Sequence, residues 1–227
     1  MYVERPSRLP GAYVWRRSAG REPRAGRVLP DGCMDLLWWR GELVVAGPDT
    51  RAYESSLAAG ETIVGLRFAP GVAPAALGVP ADELRDARVP LAALWPAGSA
   101  REAAERVAAA PGRVLEEVAA GRLTAAGGPD PALPRVVALL RAGTPVATVA
   151  DQVGMTERHL HRRSLAAFGY GPKTLARILR LGRALELARG GTPLAAVAAE
   201  AGYADQAHLS RDTRALAGVP PRALLQP

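Results

Sequence analysis

Hydrophobic and polar residues follow two different patterns along this 227-residue chain, and the change falls near residue 70. Between Arg27 and about Pro70, short apolar and aromatic runs are separated by Gly, Pro and Asp. The main runs are Cys33–Trp39, Leu43–Ala46 and Thr62–Phe68. Runs of this length and composition, with a tight turn at Arg40-Gly41, predict β-strands joined in hairpins.

After residue 70 the apolar residues recur at helical spacing. Short helical segments are predicted at Ala73–Leu77 and Asp82–Leu84. A longer helix is predicted over Ser99–Ala109, with Ser99 as its N-cap in a capping box. Pro111–Leu123 is typical of a second helix with proline at its first position. The small, proline-broken stretch Thr124–Pro131 that follows indicates a linker.

From Leu133 onward the chain contains an internal repeat. Residues 144–155 align with residues 192–203, and residues 169–173 align with residues 218–222. Between these blocks, both copies carry the pattern His-Leu-x-Arg. Each copy has the composition of a helix, a glycine break and a second helix, which is the helix-turn-helix pattern. We therefore expect two helix-turn-helix units, with second helices at about 157–168 and 206–216.

The ends of these helices are marked by residues that cap helices well. Thr144 and Thr192, each followed by proline, are predicted N-caps of the first helices. Thr156 and Asp205 are predicted N-caps of the second helices. The second helix of such a unit is the one that enters the major groove of DNA.

Charge separates the two halves of the chain. Residues 131–227 hold 13 Lys and Arg against 6 Asp and Glu, whereas residues 1–130 hold 16 of each sign. The surplus of +7 therefore lies entirely in the half that carries the repeat. A concentrated positive field is the electrostatic footprint of a polyanion-binding protein, although many basic faces are merely solvated.

The second copy resembles the AraC/XylS family of bacterial transcription regulators. The resemblance rests on residues 202–211, Gly-Tyr-Ala-Asp-Gln-Ala-His-Leu-Ser-Arg, followed by residues 216–221, Leu-Ala-Gly-Val-Pro-Pro, and it covers about residues 131–225. It implies two helix-turn-helix units in successive major grooves, joined by a long helix at Thr174–Arg189 that spans about 24 Å. The chain departs from the family at Ser164 and Thr213, where large apolar residues are usual, and at Gly182, which costs the joining helix about 1 kcal/mol.

The fold class that follows is α+β. We expect a β-rich domain, barrel or cupin-like, over residues 1–127 with trailing helices at 97–123, a linker at 128–132, and an all-α DNA-binding domain at 133–227. The segment Leu29–Leu36 also resembles N-terminal domains of uncharacterised relatives, without implying a ligand. All four tryptophans lie in residues 1–96, where they line an aromatic cavity or fill a small core.

The exposed face near the start of each second helix is expected to meet base edges. Arg162 and Arg211 are the leading candidates, because arginine binds guanine O6 and N7 in a bidentate manner. Phosphate contact or plain solvation is the alternative for both. For His159 and His208 we expect phosphate contact or a role in cap packing, and for Arg177 phosphate contact or solvation. The complete candidate set is Arg158, His159, His161, Arg162, Arg177, Gln206, Ala207, Ser210, Arg211 and His208.

The expected partner is double-stranded DNA. RNA polymerase, a small-molecule effector and a second copy in a homodimer are further partners that suit such a regulator. We expect no cofactor, no metal, no catalytic residue and hence no enzyme, since residues 1–130 contain no histidine and the chain has one cysteine. The alternatives are an alkyl-acceptor or enzyme centred on Cys33 and a basic protein-interaction module. No apolar run is long enough to span a bilayer and no secretory signal begins the chain, so a cytoplasmic protein is expected. The abundance of Ala, Gly and Pro, with arginine for nearly all basic residues, suggests a GC-rich bacterial genome.

Overall fold

The computed structural model describes residues 1–225, which form eight β-strands and ten α-helices. The strands all precede residue 91. Their bounds are β1 (Tyr2–Pro6), β2 (Tyr13–Ser18), β3 (Arg24–Val28), β4 (Met34–Trp39), β5 (Glu42–Ala46), β6 (Tyr53–Leu57), β7 (Thr62–Phe68) and β8 (Arg88–Pro90).

Six of these strands form one antiparallel sheet in the order β1-β2-β7-β4-β5-β8, and β3 pairs with β6 in a separate two-stranded ribbon. The register brings Val14 opposite Leu66, Leu66 opposite Leu36, and Leu36 opposite Val45. These four side chains are buried and form a continuous apolar row across the sheet. Because strand residues alternate between the two faces, this row defines the face that packs against helices.

Three helices cover that face. They are α1 (Ala73–Leu77), α2 (Ala97–Ala109) and α3 (Pro111–Ala125). Leu115 and Val107 are fully buried among the sheet residues, and Phe68 at the end of β7 joins the same cluster. The opposite face of the sheet carries a smaller apolar cluster that includes Leu57 and Ile63, and the β3–β6 ribbon covers it. The N-terminal region is therefore a sheet between a helical layer and a ribbon.

The seven remaining helices are α4 (Leu133–Arg141), α5 (Val146–Gln152), α6 (Glu157–Phe168), α7 (Pro172–Arg189), α8 (Leu194–Glu200), α9 (Gln206–Ala217) and α10 (Pro221–Leu224). Val149 of α5 and Leu160 of α6 are buried with Leu175 of α7 in one core. Val197 of α8 and Leu209 of α9 are buried with the C-terminal part of α7 in a second core. Each helix-turn-helix unit thus has its own core, and α7 contributes to both.

The fold class is confirmed as α+β, with a β-rich N-terminal region followed by an all-α region. The sheet is not a closed barrel, because β1 and β8 are its two edges and do not pair with each other. Five strands went unpredicted: β1, β2, β6 and β8 entirely, and β3 except for its last two residues. Residues 126–132 connect α3 to α4. Among the described residues, none of the helices combines the length and apolar character that crossing a bilayer requires.

Three predicted N-caps are wrong. Helix α2 begins at Ala97, two residues before Ser99, so Ser99 lies inside the helix. Helices α5 and α8 begin at Val146 and Leu194, and their N-cap positions are occupied by the prolines that follow Thr144 and Thr192. Pro145 and Pro193 each have an extended backbone with ψ near 140°. Each is therefore the last residue of the preceding loop and not the first residue of the helix.

Candidate nucleic-acid interface

The second helix of each unit begins and ends in the same way. The Oγ1 atom of Thr156 accepts a hydrogen bond from the backbone N–H of His159 at 3.2 Å, and Oδ1 of Asp205 accepts one from the N–H of His208 at 2.6 Å. Both predicted caps are confirmed. Each helix ends at a glycine with left-handed backbone, Gly169 with φ 80° and Gly218 with φ 74°. Equivalent positions on the two helices therefore present their side chains in the same direction relative to the helix start.

The N-terminal half of α6 exposes a basic face. Arg158, His161 and Arg162 are exposed, and their spacing of three and four residues places them on one side of the helix. Leu160 between them is buried in the core. Within residues 1–225, neither Arg158 nor Arg162 has a carboxylate within 4.0 Å, whereas their neighbour Arg163 pairs with Asp130 of the connecting segment. The two unpaired guanidinium groups have their donors available to an anionic partner.

Helix α9 exposes the corresponding face of the second unit. Gln206, Ala207 and Arg211 are exposed and Ser210 is half-buried, while Leu209 is buried. Over the described part of the chain, Arg211 also lacks an acidic partner within salt-bridge distance. The structure thus places the candidate residues of the second unit where those of the first unit lie.

The two histidines of the repeat have different surroundings. His159 is exposed on α6. His208 is half-buried: its Nδ1 accepts a hydrogen bond from the N–H of Ala204 at 3.4 Å, and its ring packs edge-on against Tyr203 at 5.1 Å. Of the two roles expected for His208, the contacts favour cap packing.

Arg177 takes part in a polar cluster around a buried carboxylate, and this cluster fixes α9 on the joining helix. Its Nε donates to Oδ1 of Asp212, whose side chain is 6% exposed. Arg180 lies 3.4 Å from the same carboxylate and stacks over the ring of Tyr203, whose hydroxyl also donates to Asp212 at 3.2 Å. Burial, reinforced by Asp212, raises the pKa of Tyr203 to about 12, so its hydroxyl remains a donor.

The sequence interpretation missed Asp212. The available signal was an acidic residue three positions after Leu209, on the apolar face of α9, where an unpaired carboxylate would be costly. Its arginine partners lie 32 and 35 residues earlier in the chain, so the pairing depends on how α7 and α9 pack.

Both second helices also contact the N-terminal region at their C-terminal ends. Arg85 donates to the carbonyl of Gly169 at 3.3 Å, and the N–H of Ala52 donates to the carbonyl of Leu216 at 2.7 Å. The N-terminal halves that carry the candidate residues are exposed. The β-rich region is therefore docked against the helix-turn-helix units without covering the candidate faces.

The tryptophans of the N-terminal region divide between cavity and core. Trp15 lines a cavity of about 120 Å³ beneath the β3–β6 ribbon, together with Tyr53 and Arg67. Trp95 is buried in the helical layer, and its Nε1 donates to the carbonyl of Leu77 at 2.8 Å. Both expected roles for the tryptophans therefore occur, at different residues.

Cys33 also borders this cavity. Burial and the nearby Asp31 carboxylate raise the pKa of the Cys33 thiol well above its usual value. Since the thiolate is the nucleophile in alkyl transfer and thiol catalysis, this environment disfavours an acceptor or enzyme centred on Cys33.

Comparison with protein families matches two segments of the chain. A helix-turn-helix domain model matches residues 138–226, and a domain of unknown function (DUF6597) matches residues 12–90. A search of curated proteins gave no match.

Solved structures similar to this chain include regulators from two bacteria. A probable AraC family transcriptional regulator from Rhodopseudomonas palustris is 26% identical with a TM-score of 0.37, over 43% of this chain and 96% of that one. ToxT from Vibrio cholerae, crystallised with an unsaturated fatty acid, is 12% identical with a TM-score of 0.46, over 97% and 96%. ToxT bound to (E)-4-(8-methylnaphthalen-1-yl)but-3-enoic acid is 10% identical with a TM-score of 0.47, over 99% and 98%.

Proposed function

We propose that the C-terminal domain of this chain belongs to the AraC/XylS family of transcription regulators, and that the protein reads a specific double-stranded DNA sequence with α6 and α9 in successive major grooves. The observation that carries the proposal is the duplication of one exposed face, with an unpaired arginine at the equivalent positions Arg162 and Arg211, at the start of two helices that are capped in the same manner. Helix α7 has 18 residues and spans about 27 Å at 1.5 Å per residue. That length suits an offset of the two units along one side of the duplex, where major-groove half-sites recur every ~34 Å.

Within this function, Arg162 and Arg211 are assigned to base edges. Arg158, His161, Gln206 and Ser210 flank them on the same faces, and Ala207 is suited to a thymine methyl group. His159 is assigned to phosphate contact. His208 and Arg177 are assigned to positioning α9, with any phosphate contact by Arg177 made from its exposed edge.

Replacement of either leading arginine tests the assignment. We expect Arg162→Ala and Arg211→Ala each to weaken binding to the preferred duplex by about 1–3 kcal/mol and to relax the preference at one base pair. Selection of bound sequences from random duplex DNA, followed by titration with each variant, measures both effects. Arg101→Ala, an exposed arginine on α2 in the N-terminal region, is the control and is expected to leave the selected sequence unchanged.

Two results would contradict the function itself. One is the absence of any enriched sequence after selection. The other is binding to duplex DNA that depends on salt but discriminates no sequence, because phosphate contacts alone produce that behaviour. Two enriched blocks about one helical turn apart, each altered by one of the two variants, are the expected result.

A small-molecule effector bound to the N-terminal region is a finer part of the same proposal. It is supported by the partly polar cavity beneath the ribbon and by the docking of that region against both second helices. A ligand in this cavity that binds one docking arrangement of the two regions better than another would favour that arrangement, and DNA affinity would change by the same coupling free energy.

A further inference from the structure

The first strand of the six-stranded sheet has an open edge. Strand β1 is the terminal strand of that sheet and pairs only with β2 in the part of the chain that the structure describes. All five of its residues are exposed. The opposite edge, β8, has three residues and ends in a proline, which makes it a poor partner for a further strand. Of the two edges, β1 is therefore the one that can accept another strand.

Two hydrogen bonds near the ends of β1 fix which of its backbone groups face outward. The N–H of Ser18 donates to the carbonyl of Met1, and the N–H of Ser7 donates to the carbonyl of Ala12, each at 2.9 Å. In an antiparallel pair, the residues that bond to the neighbouring strand alternate with residues that do not. The odd-numbered residues of β1 thus bond to β2, and the even-numbered residues direct their N–H and C=O groups away from it.

The outward-facing donors belong to two residues. Tyr2 and Glu4 each offer an N–H and a carbonyl at the open edge. Pro6 has the same orientation but no N–H, and its carbonyl already accepts from the side chain of Arg5 at 3.1 Å. The hydrogen-bonding groups available to another strand are therefore those of two residues on either side of Val3.

This spacing is self-complementary. When a second copy of β1 lies antiparallel with Val3 opposite Val3, Tyr2 of each copy faces Glu4 of the other. Each such pair exchanges two N–H to C=O bonds, so four hydrogen bonds satisfy all the outward groups of Tyr2 and Glu4 in both copies. Centring the pair on Glu4 instead would place two carboxylates directly opposite each other, which is unfavourable.

The apolar side chains at this edge also suit a second copy. Five large hydrophobic residues are exposed among the described residues, and three of them are the consecutive Met1, Tyr2 and Val3. Val3 borders a groove of about 620 Å³, which Val64 and Trp38 also line. Pairing across Val3 would continue this apolar strip from one copy into the other.

The charged side chains of β1 do not oppose this pairing. Charges on an edge strand commonly keep other strands away, but both charges of β1 are engaged within the chain. Arg5 pairs with Glu116 at 2.7 Å, and the carboxylate of Glu4 accepts from the hydroxyl of Tyr2 at 2.6 Å. The edge therefore lacks the usual protection at the residues where the backbone groups are open.

We propose that two copies of this chain associate through β1, in the antiparallel register centred on Val3, and so join two six-stranded sheets into one continuous sheet. The interface lies in the N-terminal region and does not rest on the proposed DNA-binding function. A ladder of three residues is small beside the interfaces of permanent dimers, so the association is reversible. Only its consequence for DNA, two chains held on one duplex, depends on the proposed function.

Engineered cysteines test the register. The two Val3 residues form a non-hydrogen-bonded pair with Cα atoms about 4.5 Å apart, which is within the range that a disulfide spans. Val3→Cys is therefore expected to give a disulfide-linked dimer under mild oxidation, with mass spectrometry placing the bond at position 3. Glu4→Cys and the wild type, which has Cys33 alone, are the controls and are expected to remain monomeric on denaturing gels. Equal or faster crosslinking of Glu4→Cys, or none in Val3→Cys, would overturn the proposal.

Sedimentation equilibrium of the full chain without DNA measures the association itself. Glu4→Pro removes an outward N–H while leaving the β1–β2 ladder intact, and we expect it to raise the dissociation constant at least about tenfold. Glu4→Ala keeps that N–H and Pro6→Ala lies outside the ladder, so both are expected to stay within about threefold of the wild type.

Two results of this measurement would contradict the interface. One is a wild type that remains monomeric at every concentration, and the other is a Glu4→Pro constant equal to that of the wild type. Circular dichroism of each variant, with an unchanged spectrum, establishes that lost association is not lost folding. Because no DNA is present, the outcome is independent of whether the chain selects a DNA sequence.

Discussion

At the scale of single residues, two small polar side chains lie in the core, at the positions where the resembled family usually has large apolar residues. Ser164 and Thr213 are fully buried, at equivalent places in the two second helices. The fully buried Phe168 and the buried Leu216 lie one turn further along the same helices. The hydroxyl of Thr213 donates to the carbonyl of Leu209 at 2.8 Å, whereas the hydroxyl of Ser164 has no partner within the described residues.

This difference predicts different outcomes for two substitutions. Ser164→Ala removes a buried polar atom that makes no hydrogen bond, so we expect the free energy of unfolding to rise by about 1 kcal/mol. Thr213→Val removes a hydroxyl that is satisfied, so we expect no gain. Urea denaturation of both variants measures the difference, and a loss of stability in Ser164→Ala would show that its hydroxyl has a partner.

At the scale of elements, the first strand is tied to α3 by one carboxylate. Glu116 is 4% exposed. It accepts hydrogen bonds from Arg5 at 2.7 Å, from Ser7 at 2.7 Å and from the N–H of Arg8 at 2.8 Å. Burial alone would raise the pKa of Glu116, but these donors outweigh burial and lower the pKa to about 2.

The lowered pKa predicts a pH dependence of stability. Because the folded state holds the Glu116 proton more weakly than the unfolded state does, the stabilisation is complete above the ordinary value of 4.5 and is lost as the pH falls towards 2. The contribution is about 2–3 kcal/mol. We expect the difference in unfolding free energy between the wild type and Glu116→Gln to shrink between pH 6 and pH 2. A difference that stays constant over this range would contradict the assignment.

The elements that the sequence predicts best are those whose signals are local. The repeat, the caps Thr156 and Asp205, and the second helices follow from residues within a few positions of one another. Strands β4, β5 and β7 are apolar runs closed by turn residues. These elements are recognisable without knowledge of the tertiary structure.

The strands that the sequence does not reveal depend on distant partners. All five residues of β1 are exposed at the sheet edge, and β3 and β6 are polar segments that pair with each other across 25 residues or more. The Asp212 cluster likewise joins residues from two helices. The position of Asp212 on the apolar face of α9 is a local signal, but its partners are decided by packing, as is the docking of Gly169 against the N-terminal region. Neither set of partners can be read from the sequence alone.

At the scale of the whole molecule, the two copies of the repeat differ in how they meet the N-terminal region. A Cβ atom on Gly169 would lie 2.4 Å from Cγ of Pro48 and 3.1 Å from the carbonyl oxygen of Ala81. A Cβ atom on Gly218, the equivalent residue, would have nothing within 4 Å. Both glycines have left-handed backbone. The first copy therefore has a close interdomain contact that the second copy lacks at this position.

The pair provides a matched test of docking. Gly218→Ala is expected to cost about 1 kcal/mol, from left-handed backbone alone. Gly169→Ala has the same backbone strain and also overpacks the interface. We therefore expect its loss of unfolding free energy to be about 1–3 kcal/mol larger. Thermal and urea denaturation of the two variants measure the difference. Equal losses would mean that the regions are not packed against each other at Gly169.

The placement of the tryptophans gives the protein an intrinsic optical label. Trp15, Trp38, Trp39 and Trp95 all belong to the β-rich region, and no tryptophan occurs after residue 95. Fluorescence emission consequently reports on one half of the molecule, while the helical far-ultraviolet dichroism reports on both halves, with α4–α10 as its larger source. Recording both signals in a single melt would reveal whether the halves come apart together or in sequence, without any dye, tag or labelling chemistry.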